Sequence, residues 1–262
     1  MKRYLPLLCL AGLIGWATAG SGCPFQLSLV SPVAIVPENK PVSGLRLNLI
    51  YGANENVTGF DLGLVNHAHK SLKGMQLGVI NFVCENVSGG QLGVIDFVSG
   101  NVSGGTLAAV NLVGGNLSGE EVGLINWTQG NLSGYDFGLV NLVGGNVAGE
   151  EFGVLNWAGG NVDGCQAGLL NCASGTVADG QHGLMNAAHG GASYQGGLIN
   201  WTAKLDGFQW LGINAANEAK GLQLGAINYA VKLVGLQIGA LNIIWGRENV
   251  LLRVLPIVNA SW

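Results

Sequence analysis

The sequence predicts an all-β chain: a β-solenoid of about 13 coils with 14- to 15-residue repeats and irregular end caps. Three observations carry that expectation. A glycine returns every 15 residues, an asparagine keeps the same beat, and the short apolar runs between them lack a helical period.

The glycine beat runs through Gly59, Gly74, Gly89, Gly104, Gly119, Gly134, Gly149 and Gly164. Each unit reads Gly-x-x-x-Gly-aliphatic-aliphatic-Asn, followed by a shorter return rich in glycine and asparagine. The middle glycine gives way only to Ala108 and Leu211. The closing residue recurs as Asn66, Asn81, Asn111, Asn126, Asn141, Asn156, Asn171 and Asn186, with Asp96 in the one gap. From Asn186 the step shortens to 14, giving Asn200, Asn214, Asn228 and Asn242. An amide side chain both donates and accepts, so stacked copies can bond in a ladder. Ionised Asp96 accepts without donating and is expected to be a local weak point. A second group, including Asn86, Asn101, Asn116, Asn131, Asn146 and Asn161, reads as the return turn, because Asn tolerates left-handed backbone.

Strand is favoured over helix because each closing Asn follows Val, Ile, Leu or Met, and because so many glycines would each cost a helix about 1 kcal/mol. One strand of about seven residues per unit, with a shorter return, closes a coil. Coils stacked at roughly 4.8 Å make a rod on the order of 60 Å long. Which face points inward stays open, since the set with Leu62 and Leu64 and the set with Val65 are both apolar. Either choice leaves an apolar surface for a partner, a membrane or the return segment. Trp127, Trp157 and Trp201 share one repeat position, as contact residues or as packed core. The alternative architecture is an outer-membrane β-barrel, suggested by low charge and the terminal Trp262. It needs strands of about 9–11 residues, and two do not fit in one 15-residue unit.

The chain divides into a cleavable secretory signal peptide over 1–19, an N-terminal cap over 20–43, the repeats over 44–245 and a C-terminal cap over 246–262. Lys2 and Arg3 precede an apolar stretch from Tyr4 to Trp16, and Ala17-Thr18-Ala19 supplies a small-x-small cleavage site. Cys23 follows closely enough to raise lipidation. Export permits disulfides among Cys23, Cys84, Cys165 and Cys172, in any of three pairings. Cys165 and Cys172 share a unit and meet only if the chain reverses between them.

Composition narrows the function. The chain has 45 glycines among 262 residues, 10% charged and 48% hydrophobic residues, and a net charge of −4. Enough apolar residues remain for folding. No Lys/Arg run offers the basic stripe that nucleic acid requires. No Gly-x-Ser-x-Gly elbow, HExxH or phosphate loop is present, so no catalytic residues are assigned.

One polar column invites chemistry. The third residue of each unit runs from Asp61 and Gln76 through Glu121, Asp136 and Glu151 to Gln237. If successive units stack, the three carboxylates of Glu121, Asp136 and Glu151 are neighbours; either their pKa values rise or a cation sits between them. They are the candidate metal residues, for calcium. The alternative is an ordinary solvated strip. His67, His69 and Cys84 form a weaker metal candidate that lacks a fourth ligand.

The segments Gly44-Leu45-Arg46-Leu47-Asn48-Leu49-Ile50-Tyr51-Gly52 and Gly59-Phe60-Asp61-Leu62-Gly63-Leu64-Val65-Asn66 resemble bacterial tandem surface-repeat proteins. Gly221-Leu222-Gln223-Leu224-Gly225-Ala226-Ile227-Asn228 and the unit from Gly235 to Asn242 are similar in the same way. The resemblance covers Gly44 to the C-terminus and implies a bacterial, exported, surface-associated protein. It implies no activity and no binding residues. The 15-residue middle units depart from the 14-residue form of that family.

The expectation is an exported structural or adhesive protein of the cell surface or outer membrane, or a secreted one, without catalytic activity. Its partner is a surface protein, a glycan or a membrane. Calcium binding and ice binding are the alternative roles; Thr58, Thr106, Thr128 and Thr202 form no regular threonine array for ice.

Overall fold

The computed structural model describes residues 22–262; the expected signal peptide lies outside them. The chain is a right-through stack of parallel coils, a β-solenoid of about 14 turns. Each strand pairs with its equivalents one repeat earlier and one later, with Asn141 opposite Asn156 and Asn156 opposite Asn171. The shorter units keep register, with Asn200 opposite Asn214 and Asn214 opposite Asn228. Strands run across the rod and close no cylinder, so the barrel alternative is overturned. Among the described residues the only helical element is the 3₁₀ turn Val250–Leu252.

Several coils differ from the expected single strand, whereas others, such as Val147–Ala158 and Val162–Ala173, run as one long strand. Leu132–Phe137 and Val140–Val143 are two strands of one coil, the first beginning two residues before the opening glycine. They meet at a corner, Gly138-Leu139. Two successive outward residues, Leu139 and Val140, mark it, because a straight strand alternates its faces.

Four columns point inward. Two are aliphatic: one is represented by Val87, Val102, Leu117 and Leu132, the other by Val83, Val98, Val113 and Val143, and all of these are buried. The other two are polar: the closing asparagines, and the third-residue column of Gln, Glu and Asp. Neither alternating apolar set read from the sequence is the inside. Leu62, Leu64, Leu124 and Leu139 are exposed, and so are Ile125 and Ile199.

The two glycine columns have separate causes. Gly134, with φ 140°, adopts backbone that L-residues avoid, and a Cβ there would lie 1.9 Å from the Gly119 carbonyl oxygen. A Cβ on the middle glycine Gly138 would lie 2.5 Å from Asn141 Oδ1 and 2.8 Å from Asn126 Nδ2. That glycine makes room for the asparagine ladder. Where Leu211 replaces it, the order of the corner is exchanged: Leu211 and Gly212 both take positive φ, and Leu211 projects into solvent.

The return turn also differs from expectation in its cause. Among the described residues only Leu211 and Ile257 are non-glycines with positive φ, so left-handed backbone does not explain the second asparagine group. Instead Oδ1 of Asn101 accepts the Asn116 backbone N–H at 2.8 Å, and Oδ1 of Asn131 accepts that of Asn146 at 2.8 Å. These side chains bind each turn to the next.

The ends close differently. Cys23–Val30 pairs in parallel with Val42–Asn54, placing Gln26 opposite Arg46, so the expected N-terminal cap already contains a coil. At the other end Val254–Ser261 runs antiparallel to Ile227–Ile244 and covers its edge.

Candidate functional site

Two features stand out from a plain structural rod: the pair of polar ladders inside it and the apolar side outside it.

The asparagine ladder is continuous over long stretches. Nδ2 of Asn141 donates to Asn156 Oδ1 at 2.9 Å, and the pattern repeats from Asn156 to Asn171, Asn186, Asn200, Asn214, Asn228 and Asn242, each at 2.8 Å. At the start, Asn66 donates to Asn81 and Asn81 to Asp96, at 2.9 and 2.7 Å. There the ladder stops. Asp96 Oδ2 and Asn111 Oδ1 are both buried without partners. The expected weak point is therefore two acceptors meeting where a donor is required. Ala108, which replaces the middle glycine, belongs to the coil of Asn111; by register its methyl falls at this same interrupted junction. Burial pushes the Asp96 carboxyl up to about 7, against the hydrogen bond from Asn81, which favours ionisation.

Asp96→Asn should restore the missing donor. At pH 8 it is expected to raise the melting temperature by several degrees, the equivalent of about 3 kcal/mol. At pH 5 the gain should nearly vanish, because protonated Asp96 already supplies an O–H. Thermal melts by circular dichroism at the two pH values measure this; an equal gain at both would contradict the protonation account.

The third-residue column is a second ladder, and its burial overturns the solvated strip. Gln181 donates to Gln166, Gln195 to Gln181, Gln209 to Gln195 and Gln223 to Gln209, at 2.7–2.8 Å. Its N-terminal end is charged: Arg46 Nε and Nη2 donate to the two oxygens of buried Asp61 at 2.7 and 2.5 Å, and Gln76 donates to Asp61 at 2.7 Å. A two-pronged guanidinium–carboxylate pair satisfies both ions where water is excluded.

Between these amide runs stand Glu121, Asp136 and Glu151, on successive coils with Glu121 opposite Asp136 and Asp136 opposite Glu151. All are fully buried. Thr128 donates to Glu121 at 2.9 Å, Asn126 to Asp136 at 2.5 Å and Gln166 to Glu151 at 2.7 Å. One oxygen of each carboxyl nevertheless has no partner. Burial pushes Glu121 and Glu151 up to about 7. Burial, then the charges of Glu121 and Glu151, push Asp136 up to about 9. Without a cation between them, this geometry gives the first of the two outcomes read from the sequence, raised pKa values. Among the described residues no group of His, Cys, Asp or Glu has an arrangement that holds a metal ion.

The other candidates are surface features. His67 Nδ1 lies 2.9 Å from the Tyr51 hydroxyl and Nε2 lies 3.3 Å from Cys84 Sγ, so both ring nitrogens are engaged. His69 packs edge-on against the His67 ring at 4.3 Å. Cys23, Cys84, Cys165 and Cys172 are free thiols. Trp127 and Trp157 are exposed and Trp201 half-buried, all on the outside, so the packed-core reading of that position fails.

The outer side is apolar on both flanks of the corner. Outward columns are represented by Phe137, Leu139, Val140 and Leu142, and from Leu62 to Leu241 they contain no Asp, Glu, Lys or Arg. Aromatic rings stack along them, Phe137 on Phe152 at 5.1 Å and Phe82 on Phe97 at 4.7 Å. Charges gather on the return side, as in the pairs Lys70–Glu55 and Lys232–Glu218 at 2.6 and 3.3 Å.

The fold and these features define a β-solenoid with a hydrogen-bonded amide interior and an apolar exterior flank. Comparison with known family models, curated proteins and solved structures finds no match.

Proposed function

We propose that the chain is an exported, surface-associated structural protein without catalytic activity: a stiff rod that attaches through its apolar side. The observation that carries this reading is the run of charge-free outward columns along the whole rod. Monomeric proteins rarely expose apolar patches larger than a few hundred Å², and larger ones mark interaction surfaces. The ladders support it from within, since the coils are bonded to their neighbours by backbone and, outside the interrupted stretches, by side-chain files. The Asn, Gln and carboxyl side chains of the two inward polar columns are sealed from solvent. The sequence resemblance to bacterial surface-repeat proteins and the signal-like N-terminus agree with export.

Cell fractionation combined with protease shaving of intact cells tests this. The chain is expected in the envelope fraction and cleaved by external protease. Recovery in the cytoplasm, or wholly in the medium, would overturn it.

A further inference from the structure

We infer that the surface on which the rod sits is a phospholipid bilayer, with the corner of each coil lying below headgroup level. The inference rests on the reading that the apolar side is the attachment side, and it names the partner.

Three observations favour lipid over protein. The first is shape. The apolar columns wrap a convex edge, with Leu139 and Val140 at the corner, Phe137 on one flank and Leu142 on the other. A second copy laid against this side would meet it edge to edge or cover one flank only. A fluid acyl phase covers both. The whole band, about 60 Å long by roughly 20 Å around the corner, is on the order of 1,200 Å². A standard protein contact needs about 800 Å² per partner, so a second copy on one flank would leave much of the band wet.

The second observation is backbone satisfaction. Hydrocarbon admits only backbone whose polar groups are bonded internally. At the corners, where a coil is most exposed, Leu124 N–H donates to Ala109 at 3.0 Å, Leu139 to Leu124 at 3.0 Å and Val154 to Leu139 at 2.9 Å. Gly123 N–H donates to Phe137 at 2.9 Å and Gly138 to Phe152 at 3.0 Å. The strands on either flank pair with those of the neighbouring coils, so at these corners the backbone N–H groups are bonded within the protein, as that condition requires.

The third is the placement of amphipathic rings. Trp127, Trp157 and Trp201 occupy the outward position next to the polar return turn, and Tyr135 and Tyr194 occupy the outward position at the far border. Trp and Tyr concentrate at the level of lipid headgroups, where one part of the ring is dry and the other wet. The chain has no basic run and a net charge of −4, so the attraction is apolar and needs no anionic lipid.

The test is flotation of the purified full chain with phosphatidylcholine vesicles at low and at 1 M NaCl, together with tryptophan quenching by brominated phosphatidylcholine. Binding is expected at both salt concentrations, with quenched emission. The double substitution Leu124→Glu and Leu139→Glu changes two exposed corner residues and is expected to weaken vesicle binding at least tenfold while leaving the circular dichroism spectrum unchanged. The variant also controls for the apolar N-terminal stretch, which it leaves intact. Equal flotation of the folded variant would overturn the inference, as would a wild-type chain that ignores vesicles, whether it elutes as monomer or as a stable dimer. Envelope localisation in cells with no vesicle binding would remove the lipid and leave the proposed function standing.

Discussion

Raising the pH from 5 to 9 is expected to lower the melting temperature of this protein by 10 °C or more. The cause is the buried column. Glu121, Asp136 and Glu151 stand at amide positions of a ladder, each with an oxygen that has no partner, and Asp96 faces an acceptor. Folded, they titrate at about 7, 9, 7 and 7; their ordinary values are 4.5, 3.8, 4.5 and 3.8. In the window between, the folded chain holds protons that the unfolded chain releases. Stability is therefore complete below the ordinary carboxyl values and falls as pH rises, each group costing about 1.4 kcal/mol per unit within its window. The loss should continue to about pH 9, where Asp136 gives up its proton. Replacing Glu121, Asp136 and Glu151 with Gln should extend the amide ladder and remove most of the slope. Thermal melts across this range decide the matter; a wild-type melting temperature that stays level from pH 5 to 9 would refute the buried-acid account.

A single methyl group at Gly134, in the column of opening glycines, should be among the most damaging small changes in the repeats. The Cβ of Gly134→Ala would overlap the Gly119 carbonyl oxygen at 1.9 Å, and the backbone there has φ 140°. Neither problem is relieved by moving a side chain, because the obstacle is the backbone of the coil below. A loss of at least 3 kcal/mol is expected, seen as a lower melting temperature or as insoluble expression. Gly105→Ala serves as a comparison, because the nearest atom to an added Cβ there, the Glu120 carbonyl oxygen, is 3.5 Å away and φ is not in the left-handed region. It should cost less. Equal losses for the two would show that backbone overlap is not the cause.

Stacking explains why so much of the architecture was legible beforehand. In a register-aligned rod each column meets the same environment in every coil, so a requirement at one coil is written many times. The opening glycine and the closing asparagine are such requirements, and Asp96 was recognisable as a fault because it broke a column. Orientation was harder to read. Leu62, Leu64 and Val65 suggest a core by their chemistry, and Gln76 or Glu121 a surface. The structure reverses both, because Gln and Asn can satisfy one another by stacking, which removes the usual penalty for burying them. A signal was present: the Gln column keeps one residue type from Gln166 through Gln237, whereas the return side changes freely among Ser, Gly, Lys and Asn. The small core residues Val83 and Ala158 carry no such signal, because they follow the closing asparagine, where the sequence reads as the return. The corner, which separates two strands in units such as Leu132–Phe137 and Val140–Val143, is hidden by aliphatic residues that look continuous.

The two side-chain files point opposite ways. Each Asn gives its hydrogen toward the C-terminal coil, while each Gln gives its hydrogen toward the N-terminal coil. Their electric moments oppose one another, and strands contribute little net moment of their own. An α-helix accumulates partial charge at its tips; a coil added here brings a cancelling pair. Gene duplication could thus lengthen or shorten such a molecule by whole coils without building up polarity at either tip, so its length is free to follow the distance it has to span.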